Sequence, residues 1–270
     1  MKKIISLLLV LVLGFCTLAS CGLWDDLEYE LTEDGEGYIA KGKSSDTEHI
    51  KIPDTHKGKP VVALGFFPCY NLKKIEIPAG IKSIENRAFQ QCDLEEVYIE
   101  DLKAWCNMEF LDYMGQKYNY ATNPLASGAA LYLNGTLVTD LVIPDGITEI
   151  QEDLFSGCNS IVSVTIPDGV TSVGDSAFSG CDALATVAIS DSVTSIGQHA
   201  FSGCALTSVT IPDSATYIGW SCFSDCENLK RIDFGGTKEQ WKKAARDGSP
   251  AGNITVDVYC RDGVISYGVD

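Results

Sequence analysis

The chain has 270 residues, of which 45 % are apolar, as in an ordinary folded protein. Acidic residues outnumber basic ones 37 to 20, which gives a formal net charge of −17, and no stripe of basic residues interrupts this excess. Such a charge repels phosphate backbones and anionic lipid headgroups, so the composition excludes nucleic acid as a partner and argues against electrostatic attraction to membranes.

The first twenty residues have the pattern of an export signal. Lys2 and Lys3 form a basic start, and residues 4–15 form an apolar run that is too short to span a bilayer. The run ends in Leu18-Ala-Ser-Cys21, which resembles the bacterial lipobox, in which the cysteine is acylated before the peptide is cut.

This resemblance implies a lipoprotein signal peptide over 1–20 and a lipid anchor on Cys21. The anchor would hold the protein to a membrane, facing outside the cytoplasm, and only a short tether over 21–27 would separate it from the folded domain. An ordinary secretory signal followed by a chance cysteine is the alternative.

The segment after the tether contains a hairpin signal. Asp34-Gly35 lies between two short segments that are rich in apolar and aromatic residues, and this dipeptide is typical of tight two-residue turns. We predict an N-terminal hairpin cap over 28–60.

A unit of 22–23 residues then repeats, with the pattern I-P-D-x-V-T-x-I-G-x-x-A-F-S-G-C-x-x-L-x-x-V-x-I. It is clearest from Ile143 to Ile211. A fixed period in the twenties predicts a solenoid, in which each coil buries its apolar side against the next. The alternating part of L-x-x-V-x-I predicts a strand, and the proline that follows ends its pairing. We predict repeats over 61–100 and 141–234.

Stacked coils would place the repeated phenylalanines and cysteines in two interior rows. The predicted rows are Phe66, Phe89, Phe155, Phe178, Phe201 and Phe223, and Cys69, Cys92, Cys158, Cys181, Cys204 and Cys226. We interpret the cysteines as reduced core residues, with partial disulfide bridging or a metal site as alternatives. No C-x₂-C pair occurs, so the spacing does not support zinc, and neither a metal nor a cofactor is expected.

The repeat unit, and above all I-P-x-x-V-x-x-I-x-x-x-A-F-x-x-C, resembles the BspA-like leucine-rich repeats of bacterial cell-surface proteins. The resemblance covers most of residues 50–234. It implies a leucine-rich-repeat solenoid, mainly β with short helices, and binding to proteins of a host or of neighbouring cells. The pattern departs from the family at Ser190, which replaces a proline, at Cys222, which replaces an alanine, and in the shortened stretch 61–69.

Two segments do not follow the repeat, and they resemble each other. In the first, over 101–140, Asp101 begins a short apolar helix that contains Trp105, and Asn134-Gly135 predicts a hairpin. In the second, over 235–270, a helix with Trp241 precedes Asp262-Gly263. We predict a closing cap at the C-terminus and a cap-like insertion inside the solenoid. The insertion is either a remnant of fused modules or a bend that brings two faces together.

Residues that could carry chemistry are scarce. The three histidines are His49, His56 and His199, and no known catalytic or phosphate-binding motif occurs. A thiol redox function would require a cysteine outside the predicted row, which leaves Cys106, Cys222 and Cys260. We therefore expect no enzyme activity.

The outward positions of the strands are the remaining candidate surface. They are charged or aromatic at the two ends of the solenoid and small or hydroxylated in the middle. The candidate binding residues are Lys73, Lys74, Glu76, Glu95, Glu96, Tyr98, Lys230, Arg231 and Asp233, with Trp105, Tyr113, Tyr118 and Tyr120 as further aromatic anchors. We predict a non-catalytic recognition or adhesion protein that binds a protein or glycan. A structural envelope lipoprotein without an external ligand is the alternative, and a thiol redox protein is a minor one.

Overall fold

The structure is a computed structural model that describes residues 26–43, 46–85, 87–111 and 123–268. The predicted signal peptide, Cys21, and the tyrosines at 113, 118 and 120 lie outside the described residues. Within those ranges, no helix is both long enough and apolar enough to cross a membrane.

The described chain forms a β-solenoid with two short helices. Its elements, in chain order, are β1 (Leu27–Leu31), β2 (Tyr38–Gly42), β3 (His49–Lys51), β4 (Thr55–His56), β5 (Lys59–Leu64), β6 (Lys74–Ile77), β7 (Ser83–Glu85), β8 (Glu96–Ile99), α1 (Leu102–Cys106), β9 (Glu109–Leu111), β10 (Ala130–Leu133), β11 (Thr136–Leu137), β12 (Asp140–Val142), β13 (Glu149–Ile150), β14 (Ser163–Ile166), β15 (Ser172–Val173), β16 (Thr186–Ile189), β17 (Ser195–Ile196), β18 (Ser208–Ile211), β19 (Tyr217–Ile218), β20 (Arg231–Phe234), α2 (Lys238–Ala244), β21 (Val256–Cys260) and β22 (Gly263–Tyr267).

Strands from L-x-x-V-x-I form one side of the solenoid, which we call the front face. They pair in parallel as β3-β6-β8-β10, as β12-β14-β16 and as β18-β20-β21. The ladder is interrupted between β16 and β18. The coil that leads into β18 is one residue shorter than the one before it, because Leu206 follows Cys204 by two residues, whereas Leu184 follows Cys181 by three. Valine and isoleucine point inward, so the residues between them form the outer surface.

Shorter strands form a second sheet on the other side of each coil. They pair in parallel as β2-β5-β7-β9 and as β13-β15-β17-β19. A glycine follows each of β15, β17 and β19 and allows neighbouring coils to approach closely. A Cβ added at Gly197 would lie 2.5 Å from the backbone nitrogen of Asp175, and Gly174 and Gly219 are equally confined by backbone.

The phenylalanines of the second repeat block form a stacked row in the core. The rings of Phe155, Phe178, Phe201 and Phe223 are fully buried, with successive centroids 5.4, 5.5 and 5.9 Å apart. In the first block, the prediction for Phe66 is wrong. Phe66 is 40 % exposed, while Phe67 is fully buried and stacks on Phe89 at 5.0 Å. The coil over 61–69 is shortened, so the core position falls two residues before the cysteine instead of three.

The cysteines of the predicted row make a regular backbone contact. In most coils the thiol donates to the carbonyl of the core phenylalanine one coil earlier: Cys92 to Phe67 at 3.3 Å, Cys181 to Phe155 at 3.2 Å, Cys204 to Phe178 at 3.2 Å and Cys226 to Phe201 at 3.0 Å. Each of these cysteines is free, and all but Cys92 are buried. A cysteine at this position fills a small space in the core and donates a hydrogen bond to a phenylalanine carbonyl. An alanine could not donate this bond.

Each helix is followed by a hairpin, as expected. Asp101 caps α1 by accepting from Ala104 N at 2.8 Å, and Thr237 and Gln240 form a capping box on α2. The hairpins β10–β11 and β21–β22 each place their first strand parallel to the preceding front strand, β8 or β20. Trp105 and Trp241 are both buried, and Trp241 Nε1 donates to the hydroxyl of Tyr267 on β22 at 2.9 Å. The insertion and the C-terminal cap therefore have the same topology.

The N-terminal boundaries differ from the expected ones. Strand β1 begins at Leu27, within the predicted tether, and pairs with β2 to form the hairpin around Asp34-Gly35. Strand β3 already pairs with β6, so the front face begins at His49, ahead of the predicted start of the repeats at residue 61. The sequence signal was missed because the turn after Ile52 leads into the short hairpin β4–β5 instead of the usual V-T-x-I-G.

Candidate binding face

The front face has two clusters in which a cation lies over a tyrosine ring. In the first, Lys74 Nζ is 4.0 Å from the centroid of Tyr98. The opposite side of Tyr98 stacks on Tyr132, with centroids 4.4 Å apart and planes 5° from parallel. This cation–π and π–π stack fixes both rings in place across three neighbouring strands.

Carboxylates orient the same cluster. The Tyr98 hydroxyl donates to Glu96 at 3.1 Å, and burial together with this carboxylate raises the pKa of Tyr98 to about 12. Glu76 contacts Lys51 Nζ at 3.1 Å and His49 Nε2 at 2.9 Å. Partial desolvation opposes the charge of Glu76, but Lys51 and His49 outweigh it and lower the pKa of this carboxyl. The phenol thus stays a neutral donor and the carboxylate stays ionised at neutral pH.

The second cluster lies at the other end of the front face. The Arg231 guanidinium is 4.0 Å from the ring centroid of Tyr259. Arg231 also donates through Nε and Nη2 to the two oxygens of Asp233, at 2.7 and 2.6 Å. A two-point contact of this kind holds the guanidinium plane against the tyrosine ring.

The two clusters occupy equivalent positions in the fold. Tyr132 and Tyr259 each lie on the first strand of a hairpin, and their cross-strand partners are the exposed Leu137 and Val264. Each hairpin therefore presents a tyrosine and an aliphatic side chain on the same face. The cation lies on the adjacent strand in the second cluster and one strand further away in the first. Tyrosine and arginine are the residues that most often dominate binding energy at protein interfaces.

The structure places six of the predicted binding residues in the two clusters and three at the rim of the front face. Lys74, Glu76, Glu96 and Tyr98 belong to the first cluster, and Arg231 and Asp233 to the second. Lys73 and Glu95 precede their strands and pair with each other at 3.1 Å, and Lys230 bonds the carbonyl of Glu227 at 2.9 Å. These three side chains therefore lie at the rim of the face. Trp105 is buried, so its proposed role as an exposed anchor is wrong.

Sequence reasoning missed four members of the clusters: His49, Lys51, Tyr132 and Tyr259. The first two were missed because the first coil was assigned to the cap. A signal for the tyrosines was present, since each stands one residue before the end of the first hairpin strand, where period-two alternation points it outward.

The middle of the front face carries no charge. Its outward residues on β14, β16 and β18 are Ser163, Thr165, Thr186, Ala188, Ser208 and Thr210. Val142 precedes them on β12 and is 57 % exposed. The surface between the two clusters is therefore flat, small-sided and neutral.

The described thiols are poorly suited to redox chemistry. Burial raises the pKa of Cys106 to about 12, and it also raises those of Cys222 and Cys260, which are the other candidates outside the row. A thiol with a raised pKa holds little of the reactive thiolate at neutral pH. In the described ranges, no group of three or more His, Cys, Asp or Glu residues could hold a metal ion.

The repeats match a known family model. The BspA type leucine rich repeat region matches residues 43–120 and 127–250, in six copies, which is more than half of the chain. The chain belongs to the BspA-type leucine-rich repeat family. None of the curated proteins matches it.

The chain is also similar to solved structures of leucine-rich repeat proteins. A leucine rich cell surface protein from Faecalibacterium prausnitzii A2-165 is 28 % identical with a TM-score of 0.55, over 88 % of this chain and 58 % of that one. The T. pallidum leucine rich repeat protein is 23 % identical with a TM-score of 0.43, over 85 % and 98 % of the two chains. A leucine-rich repeat protein from Bacteroides ovatus is 20 % identical with a TM-score of 0.40, over 79 % and 65 %. The present chain thus spans 58 % of the length of the first of these proteins.

Proposed function

We propose that the protein is a non-catalytic recognition or adhesion protein that binds a protein or glycan through its front face. The observation that carries the proposal is the pair of tyrosine–cation clusters on the front face, Lys74–Tyr98–Tyr132 and Arg231–Tyr259. Solenoids of stacked repeats provide extended binding surfaces, and membership of a family of leucine-rich repeat surface proteins is consistent with this role.

The clusters suit recognition because their side chains are already ordered. A tyrosine held between a cation and a second ring loses little conformational entropy when a ligand covers it. The cations over the rings are themselves paired, Lys74 with Glu76 at 3.8 Å and Arg231 with Asp233 at 2.6 Å. Both clusters also keep polar groups at their margins, which gives a ligand hydrogen-bonding partners beside an aromatic surface.

The proposal includes a location outside the cytoplasm, with a lipid on Cys21 as the membrane anchor. The support is the basic start, the apolar run and the Leu18-Ala-Ser-Cys21 sequence. More than one acyl chain would give stable anchoring. Labelled palmitate should enter the full-length protein and not the Cys21→Ser variant; incorporation into both would contradict the anchor.

The test of the binding function uses a protein of residues 22–270, without lipid, on an array of matrix proteins, mucins and glycans. We expect saturable binding to at least one class. Lys74→Glu and Arg231→Glu should weaken it at least tenfold, because each replaces a cation of a cluster by an acid. Lys82→Glu is the matched control, since it makes the same charge change beside β7 of the second sheet and should alter affinity less than twofold.

A folded, monomeric sample that binds nothing on the array would contradict recognition and favour the structural envelope role. Equal effects of all three charge reversals would also contradict the proposal, since binding would then follow net charge and not the front face.

A further inference from the structure

Basic residues are absent from the second repeat block up to residue 229. Between positions 118 and 229 there is no lysine or arginine. The same stretch contains the acidic residues Asp140, Asp145, Glu149, Glu152, Asp153, Asp168, Asp175, Asp182, Asp191, Asp213, Asp225 and Glu227. The neutral centre of the front face is thus built from the one long part of the chain that has no positive charge of its own.

Carboxylates border this centre on both sides. On one side, the turn after each front strand carries an exposed aspartate, at Asp145, Asp168, Asp191 and Asp213. The paired coils of β12, β14 and β16 place the backbones of Asp145, Asp168 and Asp191 about 4.8 Å apart, and Asp213 follows in the next coil. On the other side, Asp140 is the first residue of β12, and Asp182 and Glu227 lie four residues before β16 and β20.

Cations from the two helix–hairpin units contact only the ends of the aspartate row. Lys103 of α1 donates to the backbone carbonyl of Asp145 at 2.8 Å, and Arg261 of the C-terminal hairpin pairs with the Asp213 carboxylate at 3.3 Å. Among the described residues, no ion pair involves Asp168 or Asp191. The repulsion within the row is therefore left uncompensated at its middle, where the neutral strands β14 and β16 adjoin it.

The neutral surface between the acidic residues on its two sides, which we call the floor, is suited to binding a polypeptide. It consists of serine and threonine hydroxyls, the methyl group of Ala188, and the exposed aliphatic side chains of Val142 and Val162, which are 57 % and 43 % exposed. A single metal ion would need oxygens that converge within about 2.6 Å of one point, and a straight row does not provide this. An extended chain can instead lie along the floor and place positive side chains over the borders.

We infer that the front face of the second repeat block, from β12 to β18, docks a basic, extended polypeptide segment of its partner. This deepens the proposed function and rests on it. Uncharged or small residues of the segment would cover the floor, and lysine or arginine side chains would reach the carboxylates on either side. Charge complementarity of this kind gives fast association and a strong dependence on salt.

The inference is tested with a fluorescent 12-residue peptide of alternating lysine and threonine and the protein of residues 22–270. We expect saturable binding with one peptide per chain that weakens as NaCl is raised. The triple variant D145N/D168N/D191N should lower affinity at least tenfold. The triple variant E28Q/E33Q/E36Q is the matched control, because it removes the same charge from exposed positions of the N-terminal hairpin, and it should lower affinity less than twofold.

A second pair of variants tests the floor. Ala188→Arg places a cation and a long side chain on β16 and should lower affinity at least fivefold. Thr148→Arg adds the same charge beside β13 of the second sheet and should lower it less than twofold.

Equal losses in the two triple variants would overturn the inference, since attraction would then reflect net charge alone. An array ligand that requires Lys74 or Arg231 but is unaffected by D145N/D168N/D191N would overturn the inference and leave the proposed function standing. The absence of any saturable array ligand would instead overturn the proposed function.

Discussion

Tyr98 and Tyr132 stack face to face with ring centroids 4.4 Å apart, although one ends the first repeat block and the other lies in the hairpin of the inserted cap. Strand β10 pairs with β8 in parallel and in register, so the two tyrosines are direct neighbours on the front face. The inserted cap thus adds a strand, β10, to the front face of the first repeat block. Part of the candidate binding surface exists only because the insertion is present.

The stack should be measurable as a coupling in stability. Tyr98→Ala and Tyr132→Ala should each destabilise the protein, and the double variant should lose less than the sum of the two by about 1 kcal/mol, the usual worth of an aromatic pair beyond its buried area. Urea unfolding of the four proteins provides the measurement. Additivity within about 0.3 kcal/mol would show that the rings do not interact in solution.

The two phenylalanines before Cys69 should differ sharply in their effect on folding. Phe67→Ala removes a fully buried ring that stacks on Phe89 and should cost about 3–5 kcal/mol in the free energy of unfolding. Phe66→Ala removes a ring that is 40 % exposed and should cost far less. If chemical denaturation showed a larger loss of stability for Phe66→Ala than for Phe67→Ala, Phe66 would be the core residue.

Because the coils pack closely, we predict that Gly197 cannot be replaced by a residue with a side chain without loss of stability. In Gly197→Ala, the new methyl group would lie 2.4–2.6 Å from Asp175 and Gly174 atoms, two of which belong to the backbone, so the coils must separate. We expect a loss of about 2 kcal/mol or more. Gly80→Ala is the control, because the nearest atom to its Cβ would be the Val61 carbonyl oxygen at 3.7 Å. A thermal melt that ranks the two variants equally would contradict the close approach.

Stability should fall as the pH rises from about 4 to about 7. Burial and the neighbouring Asp153 and Asp175 raise the pKa of Glu152 to about 7, and burial and Asp175 raise that of Asp153 to about 6. Because these carboxyls hold protons more tightly in the folded than in the unfolded chain, folding is favoured below their folded pKa values and loses this contribution as they ionise. The melting temperature should therefore be higher at pH 5 than at pH 8.

Glu152→Gln should flatten that dependence. Glu149→Gln removes the same charge from an exposed position three residues earlier and serves as the control for net charge. If both variants flatten the profile equally, general repulsion within this acidic chain accounts for the effect, and the local environment of Glu152 does not.

Most of the thiols should be inert until the protein unfolds. A protein of residues 22–270 retains nine cysteines, all described and none in a disulfide, and only Cys92 and Cys260 are partly exposed. Burial raises the pKa of Cys92 to about 11, so even this thiol should react slowly with an aromatic disulfide reagent at neutral pH. Rapid labelling of buried thiols such as Cys181 or Cys204 in native protein would contradict the reduced core row.

The sequence predicted the repeated elements well because each coil obeys the same local rules. The alternation of apolar and polar residues predicted the front strands, and Pro-Asp-Gly predicted the turns. The capping residues Asp101 and Thr237 predicted the starts of both helices. It failed where one residue was added or lost. The shortened stretch before Cys69 moved the core position to Phe67, and the unusual turn after Ile52 hid the first front strand.

The candidate site was harder to predict because it depends on neighbours that are distant in sequence. Tyr98 and Arg231 were identified from outward strand positions, but their partners Tyr132 and Tyr259 come from hairpins whose register with the front face is a tertiary property. Trp105 was misplaced for the same reason, since it lies against Ile77 and Ile81, which come more than twenty residues earlier in the chain. The absence of basic residues over 118–229 is visible in the sequence. That the acidic residues of this stretch lie beside a neutral surface follows only from the fold.

The most direct test of recognition through the front face is a set of binding isotherms for the array ligand with three tyrosine variants. Tyr98→Ala and Tyr132→Ala alter the front face, while Tyr217→Ala alters β19 of the second sheet. Recognition through the front face predicts at least tenfold weaker binding for the first two variants and less than a twofold change for the third, with all three proteins folded. Unchanged affinity in Tyr98→Ala and Tyr132→Ala, or an equal loss in Tyr217→Ala, would contradict it.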